Sequence, residues 1–329
     1  MLEHGGKLNS AARRYDIPLE NWLDLSTGIN PNGWPVPDNL PASLWSDLPQ
    51  NDDSLRHTAQ HYYQCDSLLA VSGSQAAIQT LPYCREHSRV GVLSPAYSEH
   101  QHAWKQAGHE IISLNVADID NQLATLDVLI IINPNNPTGR YFNTKQLREW
   151  HQQLAQHGGW LIIDEAFIDV TPENSLSPYC PLTGLIVLRS IGKFFGLAGL
   201  RTGFVLAQES LLNILAERLG PWPIASASRY ITQLALADTA WQQQCRHSLQ
   251  NDGQRLISLL RDNELTELGG CALFQWAKTS QAEQIHHQLA QQGIYTRLFD
   301  QPQSLRFGLA KTEDDWQRLS TAIQGLTVI

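Results

Sequence analysis

Short unbroken apolar runs recur along the first two thirds of the chain, each bounded by polar or turn-forming residues. Leu68–Val71, Arg89–Leu93, Asp127–Ile132, Trp160–Ile163 and Leu185–Leu188 are the clearest. Runs of this length, with no polar alternation, read as strands buried on both faces. Helical spacing lies between them. Leu55, Ala59, Tyr62 and Tyr63 mark an inward face over 53–63, and Ala76, Ala77, Ile78 and Leu81 mark one that starts directly after Ser72-Gly73-Ser74-Gln75. Strand and helix alternating from Asp53 to about Leu206 predict an α/β fold, its central sheet mostly parallel with helices on both faces.

The flanks differ. Leu8–Tyr15 reads as a short polar helix. Asp24–Pro31, followed by Pro35, Pro37 and Pro41, cannot be helical and reads as an extended connector. Gly220-Pro221-Trp222-Pro223 breaks the chain. Beyond it the pattern predicts a helix from Ala225 to about Leu260, packing through Trp241, Leu249, Leu256, Leu259 and Leu260. Strands at 271–276, 294–297 and 304–309 and helices near 283–291 and 313–323 complete a smaller α+β domain. The expected division is an arm and connector (1–40), a large domain (41–219) and a small C-terminal domain (220–329) that takes in part of the arm.

Composition narrows the classes. Acids outnumber Lys plus Arg by 32 to 23, a net charge of -9, and the longest basic run is Arg13-Arg14, so nucleic acid is not the expected partner. No stretch is long and apolar enough to span a membrane. The first residues lack the apolar core of a signal peptide, and five scattered cysteines without C-x-x-C spacing read as reduced thiols, so the expected location is the cytoplasm. His57 and His61 stand four apart, but no third ligand is placed by spacing, and no metal is expected.

Candidate chemistry sits where the strands end. The Ser72–Gln75 turn runs from a strand into a helix, an arrangement that aims free N–H groups and the helix dipole at an anion. Tyr97 follows one strand, as a rim residue or as a ring presented to a ligand. Asn133-Pro134-Asn135-Asn136-Pro137-Thr138-Gly139 follows the next. Asp164 closes Trp160–Ile163; a carboxylate there is nearly buried and needs a cationic partner, structural or functional. Ser190–Arg201 holds one lysine, Lys193, between Gly192 and Gly196. It reads either as a surface lysine in a glycine-rich turn or as an amine whose pKa falls in apolar surroundings, making it a nucleophile for carbonyls. In parallel sheets ligands sit at the carboxyl ends of strands, and these five loops all belong there. His4-Gly5-Gly6 is either a mobile tail or an arm that approaches a ligand. Arg297 and Arg306, each in a strand of the small domain, could grip two anionic groups.

N-P-N-N-P-T-G at 133–139, D-E-A-F at 164–167 and S-x-x-K with an arginine eight residues on at 190–201 together resemble the fold-type I aminotransferase-like enzymes. Within them the chain resembles the threonine-phosphate decarboxylases, relatives of the histidinol-phosphate aminotransferases. This second likeness rests on His4-Gly5-Gly6, D-L-S-T-G-I-N-P at 24–31, residues 164–169 and 188–201, Gly220-Pro221-Trp222 and L-R-F-G-L at 305–309, and it covers nearly all 329 residues. It implies the fold-type I transferase fold, a homodimer and pyridoxal 5'-phosphate as cofactor. By the same resemblance Lys193 bonds the cofactor, Asp164 pairs with its ring nitrogen, Tyr97 stacks on the ring and Asn136 bonds the ring hydroxyl. Ser74, Gln75, Ser190 and Arg201 hold its phosphate. Arg306 takes the substrate carboxylate, and His4, Gly5, Gly28, Asn136 and Arg297 lie near the substrate, His4 and Arg297 at its phosphate. The implied reaction is decarboxylation of O-phospho-L-threonine to (R)-1-amino-2-propanol O-2-phosphate in adenosylcobalamin synthesis.

Two positions depart from the family pattern. Phe167 stands where many relatives have a tyrosine that bonds the ring hydroxyl, and Leu48-Pro49 where they have Tyr-Pro reaching the partner subunit. The competing expectations are an aminotransferase acting on histidinol phosphate or a similar amine, and a non-catalytic sensor domain of a transcription regulator.

Overall fold

A computed structural model describes residues 5–50 and 54–326. The chain divides into two compact units. One comprises 33–135 and 141–244; the other comprises 1–32, 136–140 and 245–329.

The larger unit is built on a seven-stranded sheet in the order Leu68–Val71, Gly203–Leu206, Leu185–Ser190, Trp160–Asp164, Val128–Ile132, Arg89–Leu93, Glu110–Leu114. Gly203–Leu206 runs antiparallel to both neighbours; every other neighbouring pair is parallel. The fold is therefore α/β with a mostly parallel sheet, as the apolar runs require. Val71, Val90, Ile130, Ile162, Ile186 and Val205 form one core layer with Ile78, Trp104 and Leu215 from the covering helices. Each such side chain contributes roughly 1.5–3 kcal/mol on burial. Because six strands point the same way, their C-terminal ends share one edge. Ser72–Gln75, Tyr97, Asn133–Asn135, Asp164 and Ser190–Lys193 all follow that edge.

The smaller unit holds a four-stranded sheet in the order Arg297–Asp300, Gln303–Gly308, Phe274–Lys278, Leu268–Cys271, antiparallel throughout. The connector strand Leu23–Asp24 pairs in parallel with Ile294–Tyr295. So the N-terminal segment packs with the C-terminal third of the chain.

Some expectations need correction. The helix expected over 225–260 is two helices, Ser226–Ala237 and Thr239–Arg261. Asp238 separates them because its carboxylate accepts the indole N–H of Trp34 at 3.0 Å and the backbone N–H of Trp241 at 3.0 Å. The compact units part at 244–245, and Ser226–Ala237 packs against Leu55–Tyr63 within the larger one. The edge strand Glu110–Leu114 was not expected. The helix expected from Asp53 begins at Leu55, and 51–53 lie outside the described residues, as does His4. Among the described residues no helix is long and apolar enough to cross a membrane.

Candidate active site

In the larger unit the polar groups at the sheet edge are individually fixed. Asp164, 4% exposed, ends an otherwise apolar strand. Its Oδ1 accepts the backbone N–H of Ala166 at 3.0 Å, and its Oδ2 lies 3.0 Å from His100 Nε2. A carboxylate only accepts, so His100 donates from Nε2. His100 is buried on helix Ser98–Gln106, one turn beyond Tyr97. It supplies Asp164 with a buried hydrogen-bond donor, a partner that sequence spacing does not point to.

Lys193 lies in the turn after Leu185–Ser190, with Nζ 5.6 Å from the ring centre of the buried Phe167. The turn is tied by Gly192 N–H to Ser190 Oγ at 3.2 Å and by Gly196 N–H to the Lys193 carbonyl at 3.1 Å. Arg201 closes the loop in the left-handed region (φ 51°), and its guanidinium lies on Gly73. A Cβ on Gly73 would stand 2.7 Å from Arg201 Nη2, so the glycine brings the cation onto the first turn of helix Gly73–Thr80. That turn carries the N–H groups without intrahelical acceptors. Gly203 serves the same packing, since a Cβ there would meet Ser74 N at 2.6 Å.

The Gln75 side chain is committed elsewhere. Its amide donates to Glu99 at 2.8 Å and its oxygen accepts from the Tyr97 hydroxyl at 3.3 Å. What Gln75 offers an anion is thus its backbone N–H. Burial, then the charges of Glu99 and Asp164, push the Tyr97 phenol up to about 12, so it stays protonated and donates. The loop asparagines are structural pins: Asn133 exchanges hydrogen bonds with the backbone of Phe142, and Asn135 donates to Pro95 O at 3.0 Å.

In the smaller unit Arg297 and Arg306 are direct cross-strand partners. Arg306 is 7% exposed; its Nη1 donates to Asn136 Oδ1 at 2.5 Å and its Nη2 to the Ser26 carbonyl at 2.8 Å, with the ring of Phe274 5.2 Å away. Burial, then the charge of Arg297, lower its pKa to about 10. Those partners are neutral, and Nε has no hydrogen-bond partner. A buried guanidinium held this way suits an incoming carboxylate. Asn136, its oxygen taken, has its amide N–H groups left to offer. Gly28 is buried in the same segment, and Gly5 is packed on the Ser26 carbonyl.

The donor set of the larger unit fits pyridoxal phosphate. A guanidinium, two serine hydroxyls and a helix N-terminus suit a phosphate; a pinned buried carboxylate suits a pyridinium N–H; Lys193 suits an aldehyde. Lys193, Asp164, Tyr97, Ser74, Gln75, Ser190 and Arg201 belong to this unit. Gly5, Gly28, Asn136, Arg297 and Arg306 belong to the other.

Sequence comparison finds relatives along nearly the whole chain. The family model described as aminotransferase class I and II matches residues 46–323. A threonine-phosphate decarboxylase from Pseudomonas aeruginosa is 51% identical over 325 residues, 99% of this chain and 98% of that protein. One from Sinorhizobium is 38% identical, covering 98% and 97%. Among solved structures, a histidinol-phosphate aminotransferase from Sinorhizobium meliloti in complex with pyridoxal-5'-phosphate superposes with a TM-score of 0.85 at 16% identity, covering 99% of this chain and 96% of that one.

Proposed function

The chain belongs to the class I and II aminotransferase family, and on that premise we propose that it is a pyridoxal-phosphate-dependent decarboxylase of O-phospho-L-threonine. The observation that carries this reading is likeness along essentially the whole chain to two threonine-phosphate decarboxylases, at 51% and 38% identity. The product is (R)-1-amino-2-propanol O-2-phosphate, with release of carbon dioxide, a step in adenosylcobalamin synthesis.

Lys193 would hold the cofactor's aldehyde carbon, Asp164 its ring nitrogen, Tyr97 its ring face, and Ser74, Ser190, Arg201 and the Gln75 N–H its phosphate. When bound there, the cofactor supplies an electron sink for the pair left at Cα. The chain's own residues decide which bond at Cα is broken. Arg306 takes the substrate carboxylate, Arg297 and the arm residue His4 take its phosphate end, and Gly5 and Gly28 lie near the substrate. Anchoring both ends fixes the orientation of Cα, and orientation selects loss of carbon dioxide over loss of a proton. Lys193 Nζ then carries the proton that replaces carbon dioxide on Cα. His100 holds Asp164 in its orientation by donating to its Oδ2.

The enzyme acts in the cytoplasm as a homodimer. Trp45, Leu48 and Trp222, 70%, 62% and 55% exposed, supply the apolar surface that a second subunit would cover. Leu48 cannot make the polar contact of a tyrosine there.

The test is product analysis. The cofactor-loaded protein is incubated with O-phospho-L-threonine, with and without 2-oxoglutarate, and carbon dioxide and glutamate are assayed. Carbon dioxide without any keto acid is expected. Glutamate without carbon dioxide would overturn the reading in favour of an aminotransferase.

A further inference from the structure

Ser26 is fully buried, yet every polar atom it owns is engaged. Its hydroxyl donates to Asp24 Oδ1 at 2.6 Å, and its N–H donates to the same oxygen at 2.8 Å. Since the carboxylate can only accept, the hydroxyl proton is spent on Asp24. A lone pair is left, and it accepts the backbone N–H of Gly6 at 2.8 Å. The Ser26 carbonyl receives Arg306 Nη2 on one side, and Gly5 packs against it so closely that a Cβ would collide with the oxygen. Gly6 has φ +79°, a conformation that glycine adopts without strain. One residue therefore fastens the arm through its hydroxyl and the buried arginine through its carbonyl.

We propose that Ser26 and Asp24 are positioning residues that couple the N-terminal arm to Arg306, so that the arm is seated where the substrate's carboxylate is gripped. The inference rests on the functional reading above. Asp24 acts through Ser26: by taking the hydroxyl proton it leaves Ser26 Oγ only an acceptor, the one role a backbone N–H can use. Neither residue needs to touch substrate. Among the described residues, the arm is held to this segment by the hydrogen bond from Gly6 N–H to a hydroxyl of fixed polarity.

Two measurements on the cofactor-loaded enzyme test this. In a double-mutant cycle, Ser26→Ala is combined with a chain shortened to begin Met-Lys7. Loss of one buried hydrogen bond should raise the KM for O-phospho-L-threonine about tenfold in the full chain, with kcat changed less than about threefold. In the shortened chain the same substitution should change KM less than about twofold, because the arm it fastens is gone. Asp24→Asn, which keeps an acceptor oxygen, should retain more of the wild-type KM than Asp24→Ala. Equal effects of Ser26→Ala in both chains, or none in the full chain, would overturn the proposal. Independently of any reaction, trypsin should cut after Lys7 about tenfold faster in Ser26→Ala than in wild type. An unchanged cleavage rate would mean the hydroxyl does not hold the arm. Should wild type release no carbon dioxide while cleavage still responds, the functional reading fails and the anchor stands.

Discussion

Arg189 and Arg306 are both buried arginines, 2% and 7% exposed, and they are solvated in opposite ways. Arg189, next to Ser190 in the larger unit, donates Nη2 to Asp169 at 2.5 Å and Nη1 to Glu165 at 3.2 Å. Ser175 and Ser177 accept from it as well, and its guanidinium lies 4.6 Å from the Tyr63 ring. Burial alone would lower its pKa, but Asp169 and Glu165 outweigh that and raise it. Arg306 has neutral acceptors and another arginine directly across the sheet. Burial then wins, and its pKa falls to about 10. The first cation is neutralised by carboxylates of the fold itself; the second has neutral acceptors, and on the proposed function the substrate carboxylate would neutralise it. A buried arginine is thus marked as structural or as ligand-binding by who neutralises it, not by how deeply it lies.

The largest effect that could break this contrast is on stability. Arg189→Met strands Glu165 and Asp169 in the core without a cation, and removing one member of a buried ion network costs about 3–5 kcal/mol. Denaturant unfolding should show a loss of that size. Adding Glu165→Gln and Asp169→Asn to the same chain should recover much of it, because no buried charge is then left over. A loss under about 1 kcal/mol for Arg189→Met would mean the network is not what completes this cation.

Arg306→Met should behave in the opposite way. Its direct acceptors are neutral, so removing it strands no ion-paired carboxylate; the unfolding midpoint should move far less than for Arg189→Met, while the KM for O-phospho-L-threonine rises about 10–100-fold with the loss of a charge-assisted contact. An unchanged KM would mean that the carboxylate is held elsewhere. A stability loss equal to that of Arg189→Met would erase the distinction between the two arginines.

How much of this was legible in the sequence follows from the distance over which each feature is assembled. Asp127–Ile132, Trp160–Ile163 and Leu185–Leu188 announce buried strands because each run is continuous. Glu110–Leu114 did not, because its first and fourth residues are exposed at a sheet edge. Lys193 and Asp164 could be singled out from their own neighbours in sequence. His100 could not be assigned to Asp164, 64 residues away, nor Ser26 to Arg306, 280 away. The need for a partner was readable at Asp164; the partner's identity was not. Gln75 shows the converse limit. A side chain placed by its motif at an anion site is turned to Tyr97 and Glu99 by contacts that no local pattern encodes.

The smallest effect probes the cationic surroundings of Arg297, the strand partner of Arg306. His286 Nδ1 lies 2.8 Å from Thr296 Oγ1, and the neighbouring charges that bear on it are Arg14, His287 and Arg297. Burial first, then those cations, lower its pKa from 6.5 to about 4. The folded state therefore binds this proton less readily than the unfolded chain. Its contribution to stability is fully present above pH 6.5 and is lost as pH falls through the window down to about 4. After allowance for partial exposure, the loss between about pH 7 and about pH 4.5 should be on the order of 2 kcal/mol. His286→Gln keeps a hydrogen-bonding group beside Thr296 but does not titrate. Its denaturant stability should fall less steeply over the same interval, by about that amount. Parallel pH profiles for the two proteins would mean that neither burial nor the neighbouring cations lower the proton affinity of His286 in the folded state.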